Sequence, residues 1–202
     1  MSVLTLLSAL WIGVLAGGQH ALTGPDHFAG VAPFAATSGK RAWRVGLVWG
    51  LGHASGALAA AAIALVLRAW IPGAEEHVSS VSDRIVGILM CVLGALGLRA
   101  AVRAHEHVHA PTTSPYFLGL FHGAGGLAHL FAVLPALGLP GLLLPTTYLT
   151  GYAVGSLACV TAFAAGFARL APESSPIARR RLLVVASSAS IAVGLFWIVR
   201  PA

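Results

Sequence analysis

The chain has 202 residues, 57% of them hydrophobic and only 9% charged. A soluble domain carries about a quarter charged residues, so this chain could not keep its surface wetted in water, and a membrane protein is the class that remains. The formal net charge of +6 would suggest nucleic acid as a partner of a soluble protein, but the basic residues here fall between apolar runs, so membrane topology accounts for them and no nucleic-acid partner is expected.

A bilayer core takes about 20 apolar residues per helix. Spans are predicted near Val3–Thr37, Val45–Trp70, Val81–Ala104, Tyr116–Gly138, Thr146–Arg169 and Leu182–Val199. The expected fold class is therefore all-α, a polytopic membrane protein of about six transmembrane helices. As one straight helix the first segment would be about 52 Å long against a core of about 30 Å. It must be broken, strongly tilted or partly outside the bilayer. No Lys or Arg precedes Lys40, so the segment lacks the basic start of a signal peptide and reads as a retained span.

Turn chemistry separates the spans. Ser38-Gly39-Lys40 closes the first, and Ile71-Pro72-Gly73 closes the second and opens a short polar loop with Glu75 and Glu76. Pro111 to Pro115 precedes the fourth, Gly138 to Pro145 joins the fourth and fifth, and Ala171 to Pro176 precedes the sixth. None of these loops could hold a soluble domain, so residues 1–202 form a single transmembrane domain. Loops after spans one, three and five carry Lys40, Arg41 and Arg44; Arg99 and Arg103; and Arg169, Arg179, Arg180 and Arg181. The opposite side carries Arg68, Arg84 and Arg200. Positive-inside reasoning places the first group in the cytoplasm and both termini outside, in a bacterial inner or plasma membrane. Cys91 and Cys159 lie in separate apolar runs with no CxxC pairing and read as small hydrophobes.

An internal repeat links the two halves. At an offset of 102, Gly17 meets Gly119, His20 meets His122, Gly24 meets Gly126, His27 meets His129 and Pro33 meets Pro135. At an offset of 101, Gly50 meets Gly151, Ser55 meets Ser156 and Arg68 meets Arg169. Three spans per half make the halves enter from opposite sides, the inverted-repeat plan of many secondary transporters. Repeat 1 runs over about 3–104 and repeat 2 over about 116–199.

Chemistry concentrates in Gly18 to Gly30, which sets His20, Asp26 and His27 inside an apolar segment. Ionisable groups at bilayer depth cost about 2.5–3.5 kcal/mol each on insertion scales and are rarely idle. Gly24-Pro25 reads as a helix break, with Pro at the first position of the next half-helix and Asp26 stabilised by its dipole. Imidazole with carboxylate suits nickel, cobalt, zinc, copper or iron rather than calcium or magnesium. The competing reading is a structural ion pair that locks two helices together. His53 follows in span two among Gly52, Ala54, Ser55 and Gly56, small residues that let helices approach closely. The repeat partner, Gly119 to His129, keeps His122 and His129 but has Ala128 in place of Asp26. These make the candidate metal ligands His20, Asp26, His27, His53, His122 and His129. In the loop after span three, His105, His107 and His109 form an alternating run that could bind metal after passage or simply be a solvated loop.

At these residues the chain resembles the nickel/cobalt transporter family, in particular its shorter six-span members related to urease-accessory-type nickel permeases. The likeness runs from about Gly13 to Leu170. It rests on His20-Ala21-Leu22 with Pro25-Asp26-His27-Phe28-Ala29, on Gly52-His53, and on Gly119-Leu120-Phe121-His122-Gly123. It implies passage of Ni²⁺ or Co²⁺ with His20, Asp26 and His27 in metal selection. The family motif has four residues between the first His and the Asp-His pair, one of them another Asp. Here there are five, with Thr23-Gly24 where that Asp is expected, so the site is less anionic and the metal open to change.

The resulting expectation is a permease, not an enzyme. It would carry a divalent ion between the two halves, with no cofactor beyond the transported metal and with the bilayer as its surroundings. A homo-oligomer is compatible with it. No GxxxxGK[ST] signature is present, so membrane potential or a proton gradient would supply the energy. The alternatives are a permease for Mn, Zn or Fe, and a metal-binding sensor or assembly partner without flux. An intramembrane zinc hydrolase would need a glutamate base near the ligands, and the glutamates Glu75, Glu76, Glu106 and Glu173 all read as loop residues. A thiol electron carrier would rest on Cys91 and Cys159 alone.

Overall fold

In a computed structural model, the described residues are 2–70, 74–103, 114–125, 135–136, 138–170 and 175–200, with side chains outside 61–83. Among them the chain is helical, with no strand. Helix α1 spans Val3–Thr23, α2 Pro25–Ser38, α3 Ala42–Trp70 and α4 Ala74–Arg103. After these come α5 at Pro115–Ala124, α6 at Leu143–Ala168 and α7 at Pro176–Val199.

Local chemistry sets the ends. The hydroxyl of Ser2 caps α1 by accepting the Thr5 N–H, and Ser175 does the same for α7 by accepting from Ala178. Pro25, Pro115 and Pro176 open their helices, where a missing N–H costs nothing. Gly39, with φ of 52°, closes α2 before a 3₁₀ turn over Gly39–Arg41.

Four described helices are long and apolar enough to cross a membrane: α1, the Arg84–Arg103 part of α4, α6 and α7. Large apolar side chains cover the outer surface, among them Leu4, Trp11, Leu15, Leu143 and Phe196. That surface marks an integral membrane protein. The long first segment is broken at Gly24 into α1 and α2. Three sequence expectations need correction. The predicted span Tyr116–Gly138 is not one continuous helix, because α5 stops at Ala124 and the Gly125 N–H turns back to the His122 carbonyl. Gly123 and Gly125 give that turn little helical support. Glu75 and Glu76 lie in the first turn of α4 rather than in a loop, and Arg179, Arg180 and Arg181 lie in the first turns of α7. Hydropathy marks the apolar stretch of a helix and misses polar turns that extend it.

Glycines set the packing. α1 runs parallel to α6, and a Cβ at Gly17 would collide with the Tyr152 carbonyl, while one at Gly155 would collide with that of Val14. α3 runs parallel to α5 with the same reciprocity: Gly52 and Gly56 meet the Tyr116 and Leu120 carbonyls, and Gly119 and Gly123 meet those of Trp49 and His53. α3 and α6 are antiparallel, with Gly46 against Val160 and Thr161 and Gly50 against Leu157. α4 crosses α7 where Gly87 and Gly194 each meet the other's carbonyl. Such close approach is how helices gain dispersion energy where lipid removes the hydrophobic drive.

Most of the basic groups gather at one end of the bundle, while Arg84 and Arg200 lie toward the other. Arg179 Nη2 donates to the Thr37 carbonyl at 2.6 Å, joining the start of α7 to the end of α2 beside Lys40 and Arg41. Ala36, Ala101 and Leu183 pack together with Phe167 at this level, so Arg99, Arg103 and Arg169 share the same end. Val3 and Val199 lie toward the other.

Candidate metal centre

The helix break builds the site. The Gly24 N–H donates to the His20 carbonyl at 3.1 Å and the His27 N–H to the Gly24 carbonyl at 3.1 Å. The chain thus leaves α1 and enters α2 within one turn. His20 stands on the last turn of α1, and Asp26 and His27 on the first turn of α2. Gly24 has φ −90° and ψ 98°, a conformation open to any residue. A Cβ there would overlap His27 Nδ1 and stand 2.7 Å from Asp26 Oδ1, so a larger residue would push both side chains from their places. His53 comes from α3 and His122 from the last turn of α5, brought together by the glycine contacts between those helices.

The structure thus brings His20, Asp26, His27, His53 and His122 into one cluster. Asp26, His27, His53 and His122 are buried, and His20 is half-buried. His27 is the hub. Its Nδ1 lies 3.1 Å from Asp26 Oδ1 and its Nε2 lies 3.0 Å from His53 Nε2. The other carboxylate oxygen, Oδ2, lies 3.2 Å from His122 Nε2. The ring of His20 stands edge-on to that of His27 at 4.7 Å. A carboxylate accepts, so Asp26 draws the His27 proton onto Nδ1 and turns the Nε2 lone pair toward His53. A carboxylate orients metal-binding imidazoles in this way.

Two triads follow, His20–His27–His53 and Asp26–His27–His122, and the ligand atoms in each lie within 4.8 Å of one another. Metal–nitrogen bonds of about 2.0–2.1 Å allow ligand atoms at most about 4.2 Å apart, so either triad closes on an ion by a shift below about 1 Å. The donors are borderline nitrogen and carboxylate, suited to a first-row transition ion. His129, His105, His107 and His109 lie outside the described residues.

Two further residues frame the cluster. Trp49, fully buried, stacks on His53 with centroids 5.3 Å apart and a 16° interplanar angle, and lies 5.3 Å from His122. Tyr152 lies 5.7 Å from His20. Sequence reasoning passed over both. The signal for Trp49 was its spacing of four from His53, which sets both on one face of α3.

Gly24→Ala supplies a direct check of the break. The backbone tolerates alanine, so the protein should still fold. The displaced His27 and Asp26 should cost about tenfold or more in metal affinity, in the range of altered support around a metal ligand. Calorimetric titration of the detergent-solubilised protein with Ni²⁺ measures it. Unchanged affinity would refute the steric argument.

Comparisons with known proteins add relatives without chemistry. The chain is 30% identical over 220 aligned positions to "Chloroplast protein FOR GROWTH AND FERTILITY 1" of Arabidopsis thaliana, covering 96% of this chain and 60% of that one. It is 28% identical over 213 positions to "Chloroplast protein FOR GROWTH AND FERTILITY 2" of the same plant, covering 96% of this chain and 57% of that one. No protein-family model matches, and no solved structure matches. Nothing in this likeness supports the bacterial plasma membrane expected from the sequence, and the membrane nature of the chain rests on its apolar helices. The chain is thus similar, over nearly all its length, to two plant proteins named for the chloroplast, and it spans about 60% of their length.

Proposed function

We propose that the protein is a membrane permease for a divalent transition-metal ion, Ni²⁺ or Co²⁺ first, passing it through the His/Asp cluster at the interface of two inverted repeats. The observation that carries this reading is the cluster of four imidazoles and a carboxylate, all but His20 buried, where α1, α2, α3 and α5 meet. Imidazoles and one carboxylate would be a poor packing choice in lipid, and a cation offsets that cost. The resemblance of the His20 to Ala29 motif to nickel/cobalt transporters points to the same cargo.

Several features favour the repeat. α1 pairs with α6 as α5 pairs with α3, each pair parallel and fitted through reciprocal glycines. α1 and α5 both end four or fewer residues after a histidine, at a glycine whose N–H returns to that histidine's carbonyl. The negative ends of both helices therefore point at the cluster, which favours a cation there. The contacts of Gly17 with Tyr152 and of Gly119 with Trp49 relate α1 to α5 by 102 residues and α3 to α6 by 103, in place of the offset of 101 expected for that part of the repeat. Transport would then proceed by one half rocking against the other. With the basic end in the cytoplasm, a divalent ion moving inward gains about 2 × 2.3 kcal/mol per 100 mV, enough for uptake without a second ion.

The test is metal accumulation in cells expressing the protein, with Ni²⁺, Co²⁺, Mn²⁺, Zn²⁺ and Fe²⁺ compared. Selective gain or depletion of Ni²⁺ or Co²⁺ is expected. A change confined to Mn²⁺, Zn²⁺ or Fe²⁺ would keep the permease and replace its metal. No change for any ion, with binding intact, would favour the sensor or assembly-partner reading.

A further inference from the structure

The cluster is not equally enclosed on its two sides. Along α3, which starts at the basic end, Trp49 lies one turn before His53. Along the antiparallel α6, Tyr152 lies one turn before Ser156, on the side of the cluster away from the basic end. A helical turn is about 5.4 Å, so the two rings bracket the imidazoles from opposite sides.

Among the described residues the packing on the basic side is closed. Trp49 is fully buried in a core with Val31 and Phe34, and a Cβ at Gly30 would meet its ring at 3.3 Å. On the other side a cavity of about 20 Å³ lies between α3 and α6, with His53, Ala57, Leu149, Tyr152 and Ser156 in its wall. That is room for about one water. Trp49 Nε1 and the Tyr152 hydroxyl are both buried without a hydrogen-bond partner among the described residues. Neither ring is therefore pinned by a polar contact in this position, and each would gain a hydrogen bond by turning toward water.

We propose that Trp49 is the inner gate of the pathway and Tyr152 its outer counterpart, and that this structure is closed on the basic side by Trp49. The two rings hold corresponding places, Trp49 against His122 and His53, Tyr152 against His20. An ion reaching His53 through the cavity could leave toward the basic end only after the Trp49 ring moves. The proposal rests on the permease reading for what passes. Its test needs neither flux nor metal binding, so the two can fail separately.

The test is side-specific thiol labelling of Ala57→Cys in a Cys91→Ser/Cys159→Ser background, in oriented proteoliposomes. The probes are Ag⁺ and a small membrane-impermeant methanethiosulfonate. Reaction is expected from the face opposite the basic end, with little from the basic face. Trp49→Ala should raise the basic-face rate about tenfold or more, as removal of a gate does, while Trp49→Phe should keep it low. Tyr152→Trp, which fills the cavity, should slow reaction from the opposite face. Size-exclusion profiles identify variants that have lost their fold, and Trp49→Phe carries the comparison if Trp49→Ala is among them. Equal reaction from both faces with Trp49 in place would overturn the proposal. So would a basic-face rate unchanged by a well-folded Trp49→Ala.

Discussion

Replacing His27 with alanine is expected to weaken Ni²⁺ or Co²⁺ binding about 100-fold or more, while His20→Ala costs about tenfold. The difference follows from position. His27 is a member of both triads: Asp26 holds its Nδ1, and its Nε2 faces His53. His20 belongs to one triad and is half-buried. A 100-fold loss corresponds to about 2.7 kcal/mol of binding free energy. Calorimetric titration of the two variants beside the native protein checks the order. Equal losses would mean that His27 is not shared between the triads. No loss in either would mean that the cluster is a structural hydrogen-bond network.

Gly123→Val should be the most damaging substitution to the fold. A Cβ at Gly123 would overlap the His53 carbonyl, and backbone cannot swing aside as a side chain can. α5 would have to move off α3, which also separates His122 from Asp26. A loss of about 3–5 kcal/mol is expected, the size reserved for forced overpacking or broken buried contacts. The control is Gly166→Ala on α6, where a Cβ meets nothing within 4 Å. Alanine there should be neutral or stabilising by up to about 1 kcal/mol, from helix propensity alone. Thermal unfolding in detergent, followed by size exclusion, compares them. Similar melting points would show that the glycine contacts do not set the helix spacing.

Much of the local plan was legible in the residues. Apolar runs located α1, α3, α4, α6 and α7 because lipid demands about 20 such residues together. Pro25 after Gly24 announced the break, since proline favours a helix start. The cost of burying ionisable groups singled out His20, Asp26 and His27. Other features were not legible, because they depend on which helices touch. That His53 and His122 join one cluster follows from the parallel packing of α3 on α5, and no periodicity encodes that pairing. Gly24 read as part of a helix break, yet it also leaves room for the side chains of Asp26 and His27, two and three positions on. Trp49 and Tyr152 were passed over, because their level beside the imidazoles depends on how α3 and α6 pack against the cluster. α5 was read as part of a full span because Leu118, Leu120 and Phe121 continue the apolar pattern, which carries no record of where Gly125 turns the backbone.

The measurement closest to the central claim is metal flux into proteoliposomes holding the purified protein, with Asp26→Asn as the comparison. The amide that this substitution introduces cannot carry the charge that orients His27 and His122. Selective Ni²⁺ or Co²⁺ flux should therefore be present in the native protein and nearly lost in the variant. Native protein that binds these ions yet passes none, or flux unchanged by Asp26→Asn, would contradict the account.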